Sequence, residues 1–473
     1  MPPRSLLRLL VASGLAVSGL VLALAAAPAS GQDADDLDDI LGGFDEEDPS
    51  FEVEPEPTGS AALPPVDLSG SVEVSSSINV VDHRSDTGTD YGGLQRLRNR
   101  LNLRLDVELG ELSFAESVEA LDGWQLRLEG WGFWDAAYAL QGRSDYTREV
   151  LREYEYDAEV GEAWLHGEIA PDADLTLGRQ VVIWGRSETL RVLDVINPLD
   201  NREPGRVDIE DLRRPLSMLQ VKGYAGDWSL AAIAVPEIRF DANPVVGSDF
   251  FPGTIELGEE KPRHFEDGEL FGALTTIRSG WDLSLHGGWF WDDRPRPEGG
   301  PFPVELVHDR LWMIGTGGNV TTGSWLLKAE IAYLDGFGFF HTRDEKSRLD
   351  ALVGVEYYGL TSTTIVLEAA HRHLFDYEGA LRDAPDFTRR NSPEIALRVS
   401  RDFLREKLQV TLVAVALGWD ARDGSIARLD FDYDVLDALS VGAGVLLYQQ
   451  GDLPPLSTWA DNDRILLSAK WSF

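Results

Sequence analysis

The chain has 473 residues, 81 acidic against 42 basic, and its net charge of −39 excludes a nucleic-acid-binding surface, which needs a basic face. It contains no cysteine, so disulfides, thiolate metal sites and a lipid-bearing cysteine are excluded. Six of the basic residues are lysine and the rest arginine, the better partner for carboxylates in a confined space.

Residues 1–29 read as a secretory signal peptide: Arg4 and Arg8 precede an apolar run from Leu9 to Leu24, and small residues follow around Ala27-Pro28-Ala29. Residues 30–66 form an acidic, mostly disordered segment expected in the periplasm. Within it, Asp33 to Glu56 carries twelve carboxylates and no lysine or arginine, so it repels itself and stays unfolded alone. Leu37, Ile40, Leu41 and Phe44 interrupt this stretch at the spacing of one helical face. They are either incidental apolar residues in a solvated tail or a motif that docks on a periplasmic or inner-membrane transporter partner or in the opening of the adjoining fold.

After the signal no segment offers the ~18 consecutive apolar residues of a membrane helix, so any span must be made by strands. From 67 to 473 the period is two. Leu101, Leu103, Leu105, Val107 and Leu109 alternate with Arg100, Asn102, Arg104, Asp106 and Glu108; Leu429, Phe431, Tyr433 and Val435 alternate with Arg428, Asp430, Asp432 and Asp434. A soluble sandwich with this pattern would carry charge over nearly its whole exterior, whereas a barrel places one face in lipid and the other in water. Strands are expected at 67–81, 97–109, 123–139, 157–170, 173–184, 216–225, 227–236, 269–279 and 281–292. The second half adds 304–319, 323–335, 348–358, 361–374, 392–403, 406–419, 424–435, 437–449 and 462–473. Their connections alternate between short turns and long loops, the parity of an outer-membrane up-and-down barrel. The fold class is therefore all-β, a transmembrane antiparallel barrel of about eighteen strands, sixteen or twenty if one hairpin is lost or gained.

The last strand, Asp463 to Phe473, places Ile465, Leu467, Ala469, Trp471 and Phe473 on one face and Arg464, Ser468, Lys470 and Ser472 on the other, with Leu466 the exception. Its aromatic end, Trp471 and Phe473, resembles the signal that barrel-assembly machinery reads on bacterial outer-membrane chains. Trp124, Trp281, Trp289, Trp291, Trp325, Tyr333, Tyr357 and Tyr433 lie near strand ends, as interfacial girdles require.

The segment Gly178 to Pro215 ends the fifth strand and continues into the third long loop. That loop is longer than the ~12–15 residues above which loops are functional or disordered. Gly178, Arg179, Gln180, Trp184 and Gly185, then Asn197, Pro198 and Asp200, with Arg213-Arg214-Pro215 as a weaker match, resemble the domain of unknown function 1302 family of proteobacterial outer-membrane proteins. The resemblance implies a porin-like barrel. It also brings an association with transporters of the resistance-nodulation-division type and with hydrophobic-substrate metabolism. By a further likeness to general porins, the third loop is expected to fold inward and narrow the lumen.

Candidate constriction residues on that loop are Arg186, Glu188, Arg191, Asp194, Asn197, Asp200, Arg202, Arg206, Arg213 and Arg214. Candidates on the wall are Arg98, Arg100, Arg104, Arg127, Glu129, Asp430, Asp432 and Asp434, whose parity follows from the apolar residues beside them. Charges so placed either sort solutes by sign and dipole or pair across strands in a closed lumen. Arg179 shares the parity of the outward Leu175 and Leu177 unless a bulge at Gly178 resets the register. Eight histidines are scattered; His371 and His373 alone are close, with no third ligand in view, so neither a metal site nor a cofactor is expected. No catalytic motif is found. The expected role is passive diffusion of small solutes through an outer-membrane channel. The alternative is a closed or gated barrel that serves a resistance-nodulation-division transporter of lipid or other apolar cargo; a surface enzyme on envelope lipid is a weaker third.

Overall fold

The computed structural model describes residues 66–111, 121–206, 212–251, 257–260, 263–299 and 304–473. The signal peptide, the acidic segment and its Leu37, Ile40, Leu41 and Phe44 lie outside the described residues.

Eighteen strands form one closed antiparallel sheet. The first are β1 (Val66–Asn79), β2 (Gly93–Glu108), β3 (Gln125–Asp135), β4 (Tyr156–Ala170), β5 (Ala173–Gln180), β6 (Leu216–Ala225) and β7 (Trp228–Val235). After the short β8 (Gly258–Glu259) come β9 (Glu269–Arg278) and β10 (Trp281–Trp291). The short β11 (Arg296–Gly299) and β12 (Val304–Val307) precede β13 (Arg310–Thr322), β14 (Trp325–Phe337), β15 (Lys346–Leu360) and β16 (Thr363–Leu374). The last are β17 (Asn391–Phe403), β18 (Leu408–Leu417), β19 (Ser425–Leu436), β20 (Leu439–Gln449) and β21 (Arg464–Ser472). Each barrel strand pairs with the next along the chain, and β21 closes on β1 from Ser71↔Ser472 to Asn79↔Arg464. The Phe473 backbone extends this seam, donating to and accepting from Gly70.

The eighteen barrel strands match the alternation one for one, with three corrections at the loop rim. The expected 304–319 strand is divided. Val304–Val307 joins β11 and β8 in a separate three-stranded sheet, and the barrel resumes at Arg310. Between them His308 meets the Asp292 carbonyl and Glu259, while Asp309 accepts from Arg296 and from the Gly338 amide, which pins the chain out of the ladder. The expected 123–139 strand stops at Asp135, whose carboxylate accepts from the Leu97 and Ala137 amides and starts a helical turn. The expected 173–184 strand stops at Gln180 because Asn197 Oδ1 takes the Val182 amide at 2.8 Å.

The two faces differ as lipid and lumen require. On β14, Leu327 and Ile331 are exposed, while Lys328, Glu330, Ala332 and Leu334 between and beyond them are buried. On β10, Trp281, Leu283, Leu285 and Trp289 form the exposed row. Trp281 and Trp289 are eight residues apart, about 27 Å along the strand at ~3.4 Å per residue and roughly 21 Å in height at a tilt of ~40°, which places both rings near the edges of a ~25 Å apolar band. Trp325 and Tyr357 pair at the turn rim at 4.3 Å, and Trp312 and Tyr333 near the loop rim at 5.4 Å.

Two long loops spring from the loop rim: L3 (181–215), between β5 and β6, and L4 (236–268), between β7 and β9. L1 (80–92), L2 (136–155) and L9 (450–463) sit on the same rim.

Candidate functional site

L3 begins with a knot at its neck. Asn197 is fully buried; its Oδ1 accepts from Val182 N and its Nδ2 donates to the carbonyls of Gln180 and Arg214, so one side chain ties the outgoing chain to the returning one. Asp194 accepts from Arg213 at 2.9 Å and pairs with Arg191 at 3.2 Å, all inside the loop. Arg191 also donates to the carbonyls of Asp194 and Asn197, and the Pro198 carbonyl takes the Arg214 amide. Arg179 clasps the same neck from β5: it donates to the Pro215 and Val160 carbonyls and pairs with Glu159 at 2.8 Å and Glu237 at 3.4 Å. The β4–β5 register runs unbroken through Gly178, so a register-resetting bulge is absent there. Its glycine is required for another reason. At φ +130° a Cβ would lie 2.2 Å from the Ala163 carbonyl oxygen.

From the neck the first arm of L3 descends along the inner wall. Glu330 of β14 accepts from the amides of Arg186, Ser187 and Leu193; Glu368 of β16 accepts from those of Glu188, Thr189 and Leu190, the latter three at 2.8 to 3.1 Å. Two wall carboxylates thus hold six backbone donors of one eight-residue stretch, each a charge-assisted bond of the stronger class. Gly185 makes the approach of Glu330 feasible, since a Cβ there would meet Oε1 at 3.3 Å. Arg186 pairs at 3.0 Å with Asp282, one residue inside β10 from the turn rim, so the arm reaches the turn-side half of the barrel. Lys328 lies among Glu356, Glu188 and Glu368.

Beneath this arm the lumen face is apolar, contrary to a uniformly polar interior. Val182, Trp184, Leu190, Val192, Leu193 and Ile196 pack against inward residues of β6 to β17, including Met218, Phe271, Phe290, Met313, Leu334 and Leu352. Trp184 meets Phe271 edge-on at 5.6 Å. These inward apolar residues exist because the loop, not water, covers them.

The tip of L3 reaches the opposite wall. Glu203 takes Arg96 at 2.8 Å and Arg98 at 3.1 Å, both from β2, and Arg206 at 2.9 Å. Burial opposes the charge on Glu203, but the guanidiniums of Arg96, Arg98, Arg206 and Arg464 hold its carboxyl well below the usual range. The Pro204 carbonyl accepts from Tyr448 and that of Gly205 from Arg428, on β20 and β19. Arg202 pairs with Asp200 at 2.7 Å and donates to the Glu153 carbonyl of L2.

L4 makes a second crossing that the alternation of the strands did not reveal. Asp241 accepts from the Leu199 amide and Asn201, and Ala242 exchanges backbone bonds with Leu199 and Asn201, which zips L4 to L3. Farther on, Gly247 accepts from Tyr91, Asp249 pairs with Arg464 at 2.9 Å, and Phe250 is buried with Leu446, Tyr448 and Leu456. Leu466, the exception on the last strand, packs against this cluster. The signals available were the length of L4, Phe250-Phe251 within it, and Leu466 itself.

The wall candidates divide into two groups. Arg98 meets L3 and lies 3.8 Å over the Phe133 ring. Arg100 rests over Trp131 and donates to Asn102; Arg104 and Arg127 share Asp106; Glu129 stands opposite Arg104 in the ladder. Asp430 pairs with Arg428 at 2.6 Å, while Asp432 and Asp434 are exposed toward the turn rim. The wall groups that grip the loops, Glu330, Glu368, Lys328, Arg96 and Arg464, were legible only as inward positions. His371 stacks on Trp419 and His373 bonds Asn391; among the described residues no cluster of metal-ligating side chains occurs.

Burial, with Glu356 beside it, pushes the Glu188 carboxyl up to about 7 against the pull of Lys328. An acid raised in the folded state contributes stability that is fully present below its ordinary 4.5 and is lost as pH rises through about 7. The detergent-solubilised barrel is therefore expected to melt at a lower temperature as pH rises across that interval. Glu188→Gln should flatten the slope; an unchanged slope in the variant would remove Glu188 as its source.

The fold is similar to that of a solved structure, with a second at lower similarity. OccAB3 of Acinetobacter baumannii superposes with a TM-score of 0.50 at 10% identity, covering 86% of this chain and 99% of that one. The outer membrane protein OpdK of Pseudomonas aeruginosa gives a TM-score of 0.46 at 13% identity, with 86% and 99% covered. No curated protein matches the sequence. Residues 13–473 match the model of the family described as protein of unknown function (DUF1302), and the chain belongs to that family.

Proposed function

We propose that the protein is an outer-membrane channel for passive diffusion of small solutes, narrowed by L3. The observation that carries this reading is the fixed course of the loop. Its first arm is clipped to β14 and β16 by Glu330 and Glu368, and its tip is held at β2 by Arg96 and Arg98. A loop held at both ends sets a fixed limit to what passes beside it, and charges of both signs on loop and wall are the groups that sort solutes by charge and dipole. The mature protein, refolded and inserted in a planar bilayer, should give steady unitary currents, and a salt gradient across the bilayer reads its charge preference. A barrel that inserts but never conducts would overturn the reading.

The alternative is a closed or gated barrel that opens with a transporter of the resistance-nodulation-division type carrying lipid or apolar cargo. It is favoured by the second crossing, L4, and by the apolar clusters that the two loops cover inside the wall. Silence in the bilayer combined with co-purification of an inner-membrane or periplasmic protein, lost on Leu37→Asp with Phe44→Asp, is its expected signature.

A further inference from the structure

Where the tip of L3, the middle of L4 and the wall meet, the described residues line a small cavity of about 20 Å³. Arg96 of β2, Arg206 of L3, Arg464 of β21, and Glu203, Ser248 and Asp249 contribute to its lining. The arginine side chains are almost out of solvent, with 10% of Arg96, 9% of Arg206 and 3% of Arg464 exposed.

Two independent observations point to an anion as its occupant. Arg96 Nη1 bonds Glu203, but Arg96 Nε is buried with no acceptor among the described residues. Such an orphaned charged donor is costly unless a ligand accepts from it. The charges are also unequal. Arg96, Arg98, Arg206 and Arg464 face Glu203, Asp135 and Asp249 through the contacts Arg96–Glu203, Arg98–Asp135, Arg98–Glu203, Arg206–Glu203 and Arg464–Asp249. Among the described residues four guanidiniums stand against three carboxylates, an excess of one positive charge at the site, and an uncompensated buried ion is heavily penalised.

We propose that this cavity binds one chloride ion. The space exceeds the ~10–15 Å³ that one water-sized particle needs, so a single monatomic anion fits it. A water would satisfy Arg96 Nε but leave the charge; chloride does both. Because the cavity is bounded by L3, L4, β2 and β21 together, the ion fastens the far ends of both crossings to the wall.

The test uses the full mature chain in detergent. Its unfolding temperature, followed in sodium gluconate with chloride added at constant ionic strength, should rise by a few degrees and then saturate, as binding to one site of the folded state requires. Arg96→Met removes both the orphan donor and the excess charge, and should melt at the same temperature in either salt. Crystals of the unaltered protein soaked in bromide should show an anomalous peak beside Arg96 Nε, a result that does not depend on the variant folding. Equal melting in both salts, a rise that never saturates, or a cavity without anomalous signal would each overturn the proposal.

Discussion

Replacing Glu330 and Glu368 together by alanine is expected to raise single-channel conductance severalfold and make the current noisy, with the barrel itself still assembled. Each carboxylate holds three backbone amides of the 186–193 stretch. A buried amide that loses its acceptor costs about 1–3 kcal/mol, so six such losses oppose the apolar contacts of Val182, Trp184, Leu190, Val192, Leu193 and Ile196 and are relieved when the amides reach water. The arm then leaves the wall, its amides take water, and the aperture widens. Neither substitution removes a ladder bond, because both side chains project from the sheet. Planar-bilayer recording checks this directly. Unchanged conductance and noise in a correctly folded double variant would mean that L3 does not limit the current.

Glu203→Ala is expected to be the most destabilising single substitution at the loop tip. Glu203 is the shared partner of Arg96, Arg98 and Arg206, and its removal leaves buried guanidiniums facing one another. Breaking a buried pair from one side costs on the order of 3–5 kcal/mol. The barrel ladder is continuous without this contact, so the loss should appear as release of the L3 tip, read as new protease cleavage between Asp200 and Arg206 in the folded barrel, together with a lower melting temperature. Protection equal to that of the unaltered chain would show that Tyr448 and Arg428 suffice to hold the tip.

The barrel was legible because lipid and water impose a period of two that no other constraint in these segments contradicts. Leu101 to Leu109 and Leu429 to Val435 declare their faces residue by residue, and the alternation of short and long connections fixes strand parity. Where the pattern breaks, tertiary contacts intervene. Leu466 looks like an error on the last strand and is instead the floor beneath Phe250.

The loop residues show the opposite case. Arg186, Arg191, Asp194, Asn197, Asp200, Arg202 and Arg213 were visible as a dense mixed-charge stretch, but the sequence could not separate the neck, where Asp194, Asn197 and Arg213 bond within the loop, from the arm and tip that touch the wall. Nor could it choose Glu330 and Glu368 among many inward carboxylates, since an alternating strand states which side a residue faces and nothing about what crosses in front of it.

By itself the sequence determined the closed barrel, an even strand number of about eighteen, its inward and outward faces and the prominence of the third loop, all of which follow from local periodicity and chain connectivity. Only the tertiary structure decided that L3 and L4 both run inside, that an apolar sector lines the lumen beneath them, and that Glu330, Glu368 and the Arg96 cluster hold them there. Those contacts join residues more than a hundred positions apart, as Arg186 with Glu330 and Arg96 with Glu203 show, and they depend on the curvature of a wall that exists only after closure.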